Sequence, residues 1–133
     1  MTIRTLVNAA VVLALAIGFG ACGGSNSPSS PDPGNNGTIA ATIVIDSTGN
    51  VTPRDVTVMA GSRVTFTNNH NTSHQMASDP HPVHTDCPPM NAVGIISNGQ
   101  TKLTNAFTAA RSCGFHDHDD PDNGALRGRI TIQ

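Results

Sequence analysis

The chain has few of the residue types that build large cores and charged surfaces. Its 133 residues include no tryptophan and no tyrosine, and its aromatic content of 3% comes from four phenylalanines. Glutamate is also absent, and only 12% of the residues are charged. The seven lysines and arginines form no basic patch interleaved with aromatic side chains, so we expect no nucleic-acid partner. The core must therefore consist of aliphatic side chains and very few rings.

The N-terminal residues have the pattern of a secretory signal. A single charge, Arg4, precedes an apolar run from Leu6 to Phe19, and small residues follow it. The run is shorter than the roughly 20 apolar residues that a spanning helix needs, which disfavours a transmembrane segment. We therefore expect the protein to be exported.

Residues 19–22, Phe-Gly-Ala-Cys, resemble the lipoprotein box of bacterial exported proteins, with Phe19 where Leu is usual. The resemblance implies a signal peptide over residues 1–21 and lipidation of Cys22. The acyl chains would anchor the protein to a membrane of the bacterial cell envelope, in the periplasm or at the cell surface. The alternative is an ordinary signal peptide in which Cys22 has no role. Residues 22–38 are rich in Gly, Ser, Pro and Asn, which predicts a flexible, disordered linker.

Residues 39–133 are predicted to form one small all-β domain. Short β-branched segments with alternating hydrophobicity are separated by turn residues, and no window of ten or more residues has helical periodicity. About seven strands of this kind are typical of a β-sandwich. The predicted strands are Ile39–Ile45, Asp55–Met59, Arg63–Asn68, Ala92–Ser97, Lys102–Thr108, Ala109–His116 and Leu126–Ile132. Residues 69–91 are instead Pro-rich and predict a long, ordered, functional loop.

All six histidines lie between residues 70 and 118. His116 and His118 point the same way in an extended chain, so both imidazoles can reach one point. Three more histidines, His74, His81 and His84, lie in the Pro-rich segment. Neutral imidazole is the commonest protein metal ligand, and Cu(II) lies highest in the affinity order of the metals that it suits. His70 lies among asparagines and is expected to be an exposed loop residue.

Two cysteines, Cys87 and Cys113, remain once Cys22 is assigned to the anchor. Two cysteines in an exported domain more often pair than stay free, which predicts a disulfide. The competing interpretation is that Cys113 supplies a thiolate to a metal. The two interpretations predict different kinds of site.

Three segments, taken in order, resemble the cupredoxins. They are Val56-x-Val58-x-Ala60-Gly61-x-x-Val64-x-Phe66-x-Asn68 followed by His74, then Cys113-Gly114-Phe115-His116, and finally Gly128-Arg129-Ile130-Thr131-Ile132. The resemblance spans residues 39–133. It implies a cupredoxin-like Greek-key β-sandwich that binds copper, serves electron transfer or copper handling, and acts with a possible redox partner protein.

The chain departs from the usual type 1 copper pattern of this family, because no Met follows His116. The segments Ser78-Asp79-Pro80-His81-Pro82-x-His84 and Phe115-His116-Asp117-His118 resemble a His-rich subgroup without an obligatory thiolate. That resemblance implies a copper site of His74, His84, His116 and His118, with His81 as a fifth candidate. It also leaves Cys87 and Cys113 free to form the disulfide. We expect Asp79, Asp117 and Asp119 to orient the imidazoles through their second nitrogens.

Two other functions are possible for such a domain. One is a type 1 blue-copper electron carrier with His74, Cys113 and His116 as ligands. The other is a metal-free β-sandwich that acts as a binding module. An enzyme has the least support, because the sequence contains no nucleophile elbow and no paired carboxylates.

Overall fold

A computed structural model describes residues 37–133, so the predicted signal peptide, Cys22 and most of the predicted linker lie outside the described residues. Nine strands are present in that range: β1 (Ile39–Ile45), β2 (Val51–Thr52), β3 (Asp55–Val58), β4 (Arg63–Asn68), β5 (His74–Ser78), β6 (Gly94–Ile96), β7 (Thr101–Leu103), β8 (Arg111–Asp117) and β9 (Gly128–Ile132). Two short 3-10 helices cover Pro88–Ala92 and Gly124–Leu126. Within residues 37–133, no helix has the length and hydropathy to cross a bilayer.

The strands form two sheets that pack as a sandwich. One sheet has four strands in the order β2-β1-β4-β7, and the other has five in the order β3-β9-β8-β5-β6. Two pairs, β1 with β4 and β3 with β9, are parallel, and the remaining pairs are antiparallel. The all-β sandwich predicted from the sequence is confirmed.

The core lies between the sheets and uses the few rings that the chain has. Phe66 on β4 and Phe115 on β8 are fully buried and meet edge to face, with ring centroids 5.3 Å apart. Such a contact adds roughly 0.5–1.5 kcal/mol beyond the area that the rings bury. The remaining core is mainly aliphatic, and Ile43 and Ile45 on β1 belong to the same buried cluster as Ile130 and Ile132 on β9.

The structure contains the two-residue strand β2, which was not predicted, and differs from the strand prediction at two further places. The segment predicted as an irregular loop contains β5, whose residues include no β-branched side chain and therefore carry little strand propensity. β5 forms because it lies between β6 and β8 and pairs with both. The strand predicted over Lys102–Thr108 is wrong beyond Leu103. There Thr104 accepts a hydrogen bond from the backbone N–H of Val64 through its hydroxyl, at 3.0 Å, and the chain leaves the ladder.

The register of β8 separates its side chains between the two faces of the five-stranded sheet. Cys113 pairs with Ile130 and belongs to the core, as does Phe115. By strand alternation, Gly114 and His116 lie on the outer face and Asp117 lies on the core side. At the end of β8, an imidazole therefore lies on the outer face of the sheet and a carboxylate lies on its core side.

Candidate metal centre

Four imidazole rings, from His81, His84, His116 and His118, meet at the end of β8. The nitrogens of His81, His84 and His116 lie within 4.8 Å of one another, which is the spacing of ligands around one metal ion. His118 joins them, with its Nδ1 3.2 Å from Nε2 of His84 and its ring centroid 5.0 Å from that of His81. We call these four residues the four-imidazole cluster.

The chain that leaves β5 brings His81 and His84 to β8. The N–H of Asp79 donates to the carbonyl of Gly114 at 3.0 Å, which continues the pairing of the two strands by one residue. Two side chains then hold the carbonyl of His84: the Ser78 hydroxyl donates to it at 3.0 Å and the Asn91 amide at 2.8 Å. These contacts fix the loop over the outer face of the sheet.

His84 has a left-handed backbone conformation, with φ of 51°. Non-glycine residues adopt this region uncommonly, although histidine and asparagine do so more often than most. Such a conformation persists only where the surrounding contacts impose it, and it is concentrated at functional sites. Here it directs the His84 imidazole towards the rings of His116 and His118, whose centroids are 5.2 and 4.8 Å away.

His116 is oriented by a carboxylate. Its Nδ1 lies 2.6 Å from Oδ1 of Asp79, and since a carboxylate only accepts, Nδ1 carries the proton. In the neutral form of this ring, the Nε2 atom then holds a lone pair. Nε2 is buried and has no hydrogen-bond partner among the described residues. A buried polar atom without a partner is costly, and a metal ion would satisfy it.

Gly114 makes room for that carboxylate. A Cβ built at Gly114 would overlap Oδ2 of Asp79. Any side chain at this position would therefore push the Asp79 carboxylate away from His116. Sequence reasoning identified Asp79 as an orienting group but assigned no role to Gly114, which has one only through this close approach across the β5–β8 pair.

The surroundings of His84 favour its neutral form, which can bind a metal cation. Burial lowers the pKa of His84 below its ordinary value of 6.5, and the neighbouring rings of His118, His116 and His81 lower it further in that order. Asp79 opposes this shift. The neutral imidazole, which is the form that ligates metal, is therefore favoured at neutral pH.

His74 lies in a second group, on the core side of the sheet. Its Nδ1 donates to Oδ2 of Asp117 at 2.7 Å, and its Nε2 lies 2.8 Å from Nδ1 of His70. Both His74 and Asp117 are buried. Among residues 37–133, the ring contacts of His74 are with His70 and do not reach the four-imidazole cluster. Asp117 orients an imidazole, as expected, but it is that of His74, while Asp119 is exposed.

His70 was expected to be an exposed loop residue. It lies in a loop but is half-buried and has partners. Besides His74, its Nδ1 lies 3.0 Å from the hydroxyl of Thr72, and its backbone N–H donates to the side chain of Asn68 at 2.8 Å. The only sequence feature that could have predicted the contact between His70 and His74 is their four-residue spacing. Such a spacing indicates a contact only when the intervening residues form a tight turn.

Cys87 and Cys113 form the predicted disulfide, with Cα atoms 5.6 Å apart. Both residues are fully buried and belong to the core. In the disulfide, the sulfur of Cys113 is bonded to that of Cys87 and is not the thiolate that a type 1 copper site would need. It also ties the His-rich loop to the strand that carries His116.

No family model and no curated protein matches the sequence. Similar solved structures include a purple cupredoxin from Nitrosopumilus maritimus, with 16% identity over 71% of this chain and 100% of that chain and a TM-score of 0.52. Plastocyanin from Dryopteris crassirhizoma is similar at 19% identity over 69% and 99%, with a TM-score of 0.54. A mutant amicyanin described with Cu(I) matches at 19% identity over 71% and 82%, with a TM-score of 0.54. The chain therefore has the cupredoxin fold, and the resemblance drawn from its sequence is confirmed at that level.

Proposed function

We propose that the domain binds one copper ion through His81, His84, His116 and His118. The observation that carries the proposal is that the Nε2 atom of His116 is buried and has no hydrogen-bond partner within residues 37–133. Its proton is held on the other ring nitrogen by Asp79, so the free lone pair faces a group of three imidazoles that can complete a coordination sphere. His74 is left out of this set because, among residues 37–133, its ring stacks on that of His70 on the core side of the sheet and does not contact the four-imidazole cluster.

Copper is the metal that this donor set favours. The four proposed ligands are all imidazoles, which suit copper, zinc and nickel, and Cu(II) lies highest in the affinity order. One amicyanin with the same fold is described with Cu(I), which supports copper over zinc for this fold. The Cys87–Cys113 disulfide disfavours the type 1 alternative with a Cys113 thiolate.

In the cell, we infer that the protein is an exported, lipid-anchored cupredoxin that transfers electrons or handles copper at the bacterial envelope. The signal-like residues 1–21 and the lipoprotein-like residues 19–22 support export and anchoring. An electron-transfer role implies a redox partner protein. A copper-handling role implies reversible loading of copper and needs no redox partner.

The test is copper binding by the purified protein, measured by metal analysis and by electron paramagnetic resonance. We expect one Cu(II) per chain, with hyperfine coupling to imidazole nitrogens and without the intense blue absorption of a thiolate–copper bond. Failure to bind copper or zinc at about micromolar concentration would instead indicate the metal-free binding module. An intense blue colour would restore Cys113 as a ligand.

Ligand variants locate the site. We expect His84→Asn and His118→Ala each to weaken copper binding by more than the roughly 10- to 100-fold typical of outer-shell changes. Asparagine is chosen at position 84 because it tolerates the left-handed backbone. His70→Ala is the matched control and should leave the affinity unchanged. Equal affinity across the three variants would contradict the assignment.

A further inference from the structure

A cavity of about 410 Å³ opens beside the four-imidazole cluster. His81 and His116 of the cluster line it, together with Pro121, Asp122 and Arg127 from the segment that follows β8. His81 is exposed, so the proposed copper ion would be approached by solvent from this side. The four imidazoles proposed as ligands would leave a five-coordinate copper ion with one position for an exogenous ligand on the cavity side.

Arg127 is unusual among the five arginines of residues 37–133. Arg54, Arg63, Arg111 and Arg129 each donate at least one hydrogen bond to a backbone carbonyl or a hydroxyl. The guanidinium of Arg127 has no hydrogen bond or ion pair within the part of the chain that the structure describes. Its backbone is held, since its carbonyl accepts from Nε of Arg54 at 3.1 Å. The guanidinium of Arg127, which has no partner among residues 37–133, therefore extends from a held backbone and lines the cavity.

The charges of the cavity favour an anion once copper is bound. Asp79 lines the cavity, but its Oδ1 is engaged by Nδ1 of His116. Asp122 and Arg127 carry opposite charges. A Cu(II) ion held by neutral imidazoles therefore leaves the cavity with a net positive charge. A guanidinium presents its donors in a planar fork that suits small anions with two acceptor atoms.

We propose that the copper site keeps a coordination position open to this cavity, and that a small monovalent anion with two donor atoms occupies it. One atom of the anion bonds to copper and another accepts from Arg127. This inference rests on the proposed copper site. The open coordination position distinguishes this centre from an electron-transfer site in which protein ligands occupy every position on the metal.

Azide is the probe, added to the full-length exported protein after its copper content has been measured. Binding is followed by the azide-to-copper charge-transfer absorption and by electron paramagnetic resonance. We expect azide to bind the unaltered protein, and Arg127→Ala to raise its dissociation constant by about 5- to 20-fold, as the loss of a charge-assisted hydrogen bond predicts. Arg129→Ala is the matched control, because it removes the same charge from a nearby exposed position on β9 that does not line this cavity. Its dissociation constant should stay within about twofold of the unaltered value.

The outcomes separate the two proposals. Copper-loaded protein that shows no azide band, or equal azide affinity in Arg127→Ala and Arg129→Ala, would overturn the open position while leaving the copper site in place. A protein that takes up no copper would overturn both. Copper affinity of Arg127→Ala, measured by competition with a chelator, should match that of the unaltered protein, which shows that the change acts on the anion and not on the metal.

Discussion

Asp79 is the residue on which the orientation of the buried His116 imidazole depends. We expect Asp79→Ala to weaken copper binding by roughly 10- to 100-fold, because the ring loses the acceptor that fixes its proton on Nδ1. Gly114→Ala should act in the same direction, since its new Cβ displaces the same carboxylate without removing any ligand. Competition with a chelator of known affinity measures both.

Asp122→Ala is the control for these two variants. Asp122 lines the same cavity and carries the same charge, but it makes no hydrogen bond to an imidazole among the described residues. Its removal should therefore leave the affinity within about threefold of the original, as expected for an exposed charge. If Asp79→Ala and Asp122→Ala had the same effect, the loss would reflect charge alone and not the orientation of His116.

His84 makes the stability of the metal-free protein depend on pH. Its pKa in the folded state is below the ordinary value of 6.5, because of burial and the neighbouring rings. Below pH 6.5 the unfolded chain therefore binds this proton more readily than the folded chain. The free energy of unfolding consequently falls as the pH drops through this window, and the stability is fully present only above it.

Urea unfolding of the metal-free protein between about pH 7.5 and 5 measures this dependence. His84→Asn removes the titrating group and retains a residue compatible with the left-handed backbone, so its stability should fall less steeply with acid. Identical slopes for the two proteins would mean that His84 titrates in the folded state as it does in the unfolded chain.

Among the elements, the Cys87–Cys113 disulfide connects the His-rich loop to β8. The two cysteines are 26 residues apart, and removing a native disulfide from a small exported domain costs about 2–5 kcal/mol. We expect Cys87→Ala/Cys113→Ala to lose stability in this range in urea unfolding. Alanine is chosen because both positions are fully buried, where a serine hydroxyl would add a separate penalty.

The same double variant tests what the disulfide does for the site. Because the bond joins the loop of His81 and His84 to the strand of His116, copper affinity should fall together with stability. Addition of a reductant to the metal-free unaltered protein is the control, and it should lower the free energy of unfolding as the double substitution does. Unchanged stability after the double substitution would mean that the bond adds little to the native state.

Elements could be predicted from the sequence where each one carries its own signal. β1, β4 and β9 have alternating β-branched residues, and each was predicted to within two residues. β5 could not be found this way, because its sequence His-Gln-Met-Ala-Ser becomes a strand only through its neighbours β6 and β8. The limit is physical, since strand formation in a central position depends on partners distant in sequence.

At the scale of the whole molecule, the sequence predicted which segments carry the histidines but not how the structure divides them into two groups. His116 and His118 could be paired from strand alternation alone. The placement of His74 could not, because it depends on which face of the sheet β5 presents at residue 74. The structure shows that face to be the core side, where Asp117 accepts from His74. One strand, β8, thus separates two groups of histidines.

The predicted anchor can be tested independently of the proposed copper site. The lipoprotein-like residues 19–22 predict that Cys22 carries acyl chains, which would hold the protein at a membrane. Cys22→Ser should therefore move the protein from the membrane fraction to the soluble fraction. The four-imidazole cluster belongs to the folded domain and not to the anchor, so copper content per chain should stay the same. Intact mass spectrometry shows whether the signal has been removed in each form. A variant that is processed normally and still sediments with membranes would place the anchor elsewhere than at Cys22.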